Sequence, residues 1–193
     1  HEYGDPSNNL LSRDTLVKAP LGTLWFGGPS SDGKLYYDRH HWAPSLTVIE
    51  GRMFFQGKGI LTAVDVYTGR ILWQNKLPGG ISLGRRSLWP PSGYHFVAGK
   101  DALYMTYPTK VLMLDPKTGK QTGEFGLADT EDRWGSIRVV KNFIIAPIFR
   151  SVKDRGNLPI KLACIDRKTG EAVWSSNAEQ SFAMVAIGND KVF

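Results

Sequence analysis

Residues 61–73 read Leu61-Thr62-Ala63-Val64-Asp65-Val66-Tyr67-Thr68-Gly69-Arg70-Ile71-Leu72-Trp73. Leu61, Ala63 and Asp65 alternate with Thr62, Val64 and Val66, a period of two that marks a strand with both faces in use. At Asp65 the chain must reverse. An Asp side chain accepts backbone N–H groups of a turn, Thr reinforces it, and Gly adopts the positive φ that closes a tight hairpin. Ile71-Leu72-Trp73 then starts a second strand, placing an indole where it can cover the small Ala63 or wedge between neighbouring sheets. Burying a ring of that size fully is worth roughly 4–6 kcal/mol as an upper bound. The turn frame returns as Asp115-Pro116-Lys117-Thr118-Gly119 and Asp166-Arg167-Lys168-Thr169-Gly170, at spacings of 50 and 51 residues. A period of that length made of strands and tight turns implies a propeller array, with one four-stranded sheet per repeat.

The repeats differ in their aromatic positions. The third carries Cys164 where Ala63 stands in the first, and keeps Trp174 at the Trp73 position. The second has Met113 and Gly123 at those places, so Phe125, two residues on, is its expected ring. The string Ala63-x-Asp65-x-x-Thr68-Gly69-x-x-x-Trp73 resembles the tryptophan-docking repeat of the quinoprotein-type propellers. That family includes pyrroloquinoline-quinone dehydrogenases and the propeller lipoprotein of the bacterial outer-membrane assembly machinery. The resemblance spans about residues 40–193. It implies an all-β, partial propeller of four-stranded antiparallel blades with tryptophan-docking repeats, in which Ala63, Asp65, Thr68, Gly69, Trp73, Asp115, Thr118, Gly119, Phe125, Asp166, Thr169, Gly170 and Trp174 are docking residues. By resemblance alone, the protein is expected to be bacterial and exported, in the periplasm.

Residues 1–20 hold Gly, Asp, Ser, Asn and Pro without period and read as an extended lead-in; 21–193 form the propeller segment. A stray outer strand is expected near 22–26, followed by blades over about 44–77, 93–126 and 136–176 and the start of a fourth at 182–193. Three blades leave open edges and an uncovered blade face, whereas propellers close with four to eight. The expectation is therefore further blades or domains of the same chain, or a homo-oligomer of arcs if the chain is complete.

Composition supports a packed core, with 41% hydrophobic and 22% charged residues. No run is long enough to span a membrane as a helix. The formal charge is +6, from 24 Lys and Arg against 18 Asp and Glu. These cations are scattered through turns and no nucleic-acid module is visible, so the reading is a solvated basic surface with no nucleic-acid partner. Cys164 is the single cysteine and has no internal disulfide partner.

Three segments interrupt the blade pattern. Residues 78–91 connect two blades and carry Arg85, Arg86 and Trp89. The two Arg have the chemistry to hold an anionic ligand at the channel; pairing with carboxylates or water is the plainer alternative. Residues 149–159 sit where other blades have a short hairpin, and Arg150, Lys153 and Arg155 make this a candidate contact loop for a protein partner. The third segment, 36–44, holds Asp38, His40 and His41. Consecutive residues of an extended chain point opposite ways, so the adjacent His do not suit one metal ion and are read instead as lining the entry to the first blade.

An enzyme of the resembled family would hold a quinone beside calcium and a catalytic Asp, often over a vicinal Cys pair. No Cys-Cys pair is present, and Asp65, Asp115 and Asp166 are turn residues, so no catalytic or metal residue is assigned. There is also no haem attachment sequence, nucleophile elbow or glycine-rich phosphate loop. The reading is a non-catalytic binding or scaffolding segment presenting loops and channel face to a protein partner or ligand. The alternative is part of a quinone-dependent alcohol or sugar dehydrogenase whose active-site residues lie outside this segment.

Overall fold

The computed structural model describes residues 22, 23, 25, 46–57, 59–77, 96–107, 109–127, 132–149, 159–177, 185, 187–188 and 191–192. Their strands form three antiparallel sheets and a hairpin. The first sheet runs in chain order through β1 (Thr47–Ile49), β2 (Arg52–Gly57), β3 (Ile60–Asp65) and β4 (Ile71–Lys76). The second repeats that order with β5 (Phe96–Ala98), β6 (Leu103–Thr106), β7 (Lys110–Leu114) and β8 (Gln121–Gly126). The third adds β9 (Arg133–Trp134) to β10 (Arg138–Val140), β11 (Phe143–Phe149), β12 (Pro159–Asp166) and β13 (Ala172–Asn177). β14 (Ile187–Gly188) and β15 (Lys191–Val192) make the hairpin.

The sequence frame recurs as one geometry. Ala63 opposes Trp73, Met113 opposes Gly123, and Cys164 opposes Trp174, and in each sheet the register shifts immediately afterwards. The shift leaves Leu72, Thr122 and Val173 as the extra residue of a β-bulge at the same point of each repeat. Such a bulge strengthens local twist and re-aims the outer strand's side chains. The second sheet inverts the size order of this pair. The Met113 methyl group lies over Gly123, so a large–small pair replaces the small–large pair of Ala63 and Trp73.

Alternation in the strands builds the stack. In β6, Leu103 and Met105 face the core shared with the first sheet, which holds Phe54, Leu61 and Trp73. Tyr104, between them, faces the core shared with the third sheet, which holds Trp134, Ile144 and Ile148. β12 divides likewise: Ala163 and Ile165 point back toward the second sheet, while Leu162 and Cys164 pack with Val185 and Ile187. Sheets with two apolar faces are thus stacked face to face, as blades are.

In the third sheet β10 falls within the expected inner strand, residues 136–140, and a further short strand, β9, precedes it and also pairs with β11. Gly135 lies between them, donates its N–H to the Pro147 carbonyl at 2.9 Å, and has no room for a Cβ beside Phe149 and Pro147. Of the outer strand expected near 22–26, Gly22, Thr23 and Trp25 are among the described residues, and the rest lies outside them. The lead-in 1–20 lies outside the described residues.

Candidate functional site

All three Asp-containing turns project from one end of the stacked sheets and share one hydrogen-bond pattern. In the first, the Asp65 N–H donates to the Arg70 carbonyl and the Gly69 N–H to the Asp65 carbonyl, both at 2.8 Å. Asp65 Oδ1 accepts the N–H groups of Tyr67 and Thr68, both at 2.9 Å. Asp115 Oδ1 accepts the Lys117 N–H at 2.7 Å, and Asp166 Oδ1 accepts those of Lys168 and Thr169 at 2.8 and 3.2 Å. The hydroxyls of Thr68, Thr118 and Thr169 accept the N–H two residues on. Gly69, Gly119 and Gly170 have φ of 70°, 71° and 75°, which a Cβ would strain.

These bonds hold each carboxyl below the usual carboxylate value of 3.8, chiefly through the Thr68 and Tyr67 N–H groups at Asp65, Lys117 at Asp115, and Lys168 and Thr169 at Asp166. A carboxyl depressed in the folded state stabilises it fully above the unfolded value and loses that contribution as pH falls through the folded one. The urea midpoint is therefore expected to be flat above about pH 5 and to fall below about pH 4. An Asp115→Asn variant, measured in the same titration, should show a shallower acid slope.

Each turn is also a seat for a ring from the preceding repeat. Trp25 covers Gly69 and donates its indole N–H to the Val66 carbonyl at 2.8 Å. Trp73 covers Gly119 and donates to the Pro116 carbonyl at 3.1 Å, and the Asn75 amide donates to the Gly119 carbonyl. Trp73 also packs on Phe54 with ring centroids 5.9 Å apart. At the next seam Phe125 occupies the seat on Gly170, edge-on to Trp134 at 5.9 Å. Trp174 is different. It is 39% exposed, in a strand exposed throughout, and no turn of the described residues covers it. Three rings thus meet three turns, and the fourth ring has none among the described residues.

Phe125 has no N–H to donate, and the seam it serves is fastened otherwise. Arg167, at the position of Val66 and Pro116, reaches back to the second sheet. Its Nη1 lies 2.8 and 2.6 Å from the two carboxylate oxygens of Asp101 and 3.0 Å from the Tyr104 hydroxyl. Its guanidinium also stands 6.0 Å from the centre of the Tyr104 ring. Burial and the Asp101 charge raise the Tyr104 phenol pKa, against the pull of Arg167.

At the same end a cleft of about 340 Å³ opens between the first and second sheets, over Ile49 and Pro116. Its rim carries Glu50, Arg52, Lys100 and Lys117. At the other end of the third sheet, the buried Asp132 pairs with Lys161 at 3.0 Å. Arg138, buried in β10, donates Nε–H to the Val185 carbonyl at 3.2 Å and so ties the third sheet to the segment that follows. Sequence reasoning passed over Asp101, Asp132, Arg138 and Arg167. Arg138 alone left a signal, a cation inside the apolar run Ile137 to Val140. His40, His41, Arg85, Arg86, Trp89, Arg150, Lys153 and Arg155 all lie outside the described residues.

Bulged four-stranded sheets, stacked on two apolar faces and joined by rings seated on Asp-x-x-Thr-Gly turns, define a β-propeller of the tryptophan-docking class. A family model described as outer membrane protein assembly factor BamB matches residues 30–193, and the chain belongs to that family of quinoprotein-type propeller repeats. No curated protein gives a significant sequence match. Among solved structures, BamB from Moraxella catarrhalis is similar at 17% identity and a TM-score of 0.48, over 71% of this chain and 40% of that one. A europium-containing methanol dehydrogenase is similar at 17% identity and a TM-score of 0.50, over 70% of this chain and 24% of that one. A quinohemoprotein alcohol dehydrogenase from Pseudomonas putida HK5 is similar at 18% identity and a TM-score of 0.50, over 69% of this chain and 20% of that one. The chain thus spans less than half the length of each of these proteins.

The described residues do not fit a quinone with calcium. Cys164 is buried in β12, its thiol pKa raised by burial and by the Asp166 charge. The recurring carboxylates each hold their own turn, and no three His, Cys, Asp or Glu among the described residues converge as a ligand set. No chemical step is assigned to this segment.

Proposed function

We propose that the chain is a non-catalytic scaffolding segment of an exported, periplasmic propeller, which presents its loops and channel face to a protein partner during the assembly of outer-membrane proteins. The observation that carries this reading is the commitment of all three recurring carboxylates to their own turns, where they fix blade geometry and are not gathered for chemistry. The family description, matched over residues 30–193, supports a partner from outer-membrane protein assembly. Arg150, Lys153 and Arg155 in the inserted loop, with Arg85, Arg86 and Trp89 in the connection, are the proposed contacts, and His40 and His41 are proposed to line the entry.

The test uses the full-length protein, tagged and purified from solubilised envelopes of its source organism. Co-purification of a β-barrel outer-membrane protein, weakened when Arg150, Lys153 and Arg155 are changed together to Glu, is the expected outcome. Saturable quinone binding with calcium, together with alcohol- or sugar-dependent dye reduction, would instead establish the dehydrogenase reading.

A further inference from the structure

We propose that the docking turn at the seam between the second and third sheets is held by an ionic latch that salt loosens, while the turn at the neighbouring seam does not respond. The two seams are built on one plan with one substitution. Between the first and second sheets, the Trp73 indole covers Gly119 and also bonds the Pro116 carbonyl, and Asn75 bonds the Gly119 carbonyl, so apolar burial and neutral hydrogen bonds both close it. Between the second and third, the shared apolar core is capped by Phe125, which covers Gly170 without any hydrogen bond to the turn, and the polar fastening is Arg167, paired with the Asp101 carboxylate and bonded to the Tyr104 hydroxyl.

Charge pairs and indole bonds respond differently to solvent. The Asp101 side chain is 57% exposed, so dissolved ions reach the pair. The reach of a charge falls from about 30 Å at about 0.01 M salt to about 3 Å at about 1 M. The Trp73 indole bond is buried and carries no net charge, so the same change leaves it intact. The latch joins Asp101, in the β5–β6 turn, to the turn that seats Phe125. Its release therefore frees the third sheet's docking turn from the second sheet while each sheet keeps its own hydrogen bonds. The turn's hold on the second sheet is thereby set by ionic conditions or by an anion competing for Arg167.

Amide hydrogen exchange of the full-length protein, read by mass spectrometry, tests this. In about 1 M sodium chloride, compared with about 0.01 M, peptides covering 166–171 are expected to exchange two- to fivefold faster relative to those covering 115–119, the size of effect typical of exposed pairs. Asp101→Asn should give that faster exchange already at low salt and remove the further response. Equal salt responses at both turns, no response at either, or an unchanged response in Asp101→Asn would each overturn the latch.

Discussion

Trp73→Ala is expected to lower the unfolding free energy by about 3–5 kcal/mol in a denaturant titration of the full-length protein. Three losses coincide at this residue. Its ring is 9% exposed and fills the core shared by the first two sheets, so alanine leaves a cavity beside Phe54 and Gly119. The Pro116 carbonyl loses its indole donor, which leaves an acceptor unpaired inside the seam. The opposing residue is Ala63, too small to move into the space. Tyr67→Ala provides the internal control, because this ring, on the first docking turn, is 66% exposed and should change stability by within about 1 kcal/mol. Comparable losses at the two positions would mean that burial against a seated turn does not determine what these rings contribute.

The contrast shows how far the sequence was legible. Everything local was readable. The turn chemistry of Asp65, Thr68 and Gly69, the strand before it and the ring after it depend on neighbours within a dozen residues, and their recurrence gave the propeller. The replacement of Trp by Phe125 was readable too, since Met113 and Gly123 invert the large and small members of one cross-strand pair and displace the ring by two positions on the same face. Whether a given ring finds a seat was not readable at Trp174, because the seat belongs to the following repeat. The long-range pairs left no trace either. Arg167 and Asp101 are 66 residues apart and reside in turns where any charged residue looks like solvent-facing surface. The candidate contact residues from Arg85 to Arg155 interrupt the period, and interruption marks a loop without saying what it meets.

Asp132 and Lys161 lead to the second large effect. Asp132 precedes β9, and its side chain is 2% exposed, whereas Lys161 in β12 is 34% exposed and places its ammonium 3.0 Å from Asp132 Oδ2. A carboxylate taken out of water is tolerable when a cation answers it, and removing that cation leaves the charge buried and uncompensated. Lys161→Met keeps most of the aliphatic stem and deletes the ammonium, so packing changes little while the electrostatics change fully. Partial exposure of Lys161 lets water soften the penalty, which places the expected loss at about 2–4 kcal/mol, toward the low end of what buried pairs show. A second substitution separates charge from packing. Asp132→Asn on the Lys161→Met background removes the stranded charge and should recover more than half of the loss, whereas Asp132→Asn alone should cost less than Lys161→Met alone. Double-mutant cycles in urea measure this directly. Additive losses would show that Lys161 contributes through its stem against β11, and that the Asp132 carboxylate is answered by water.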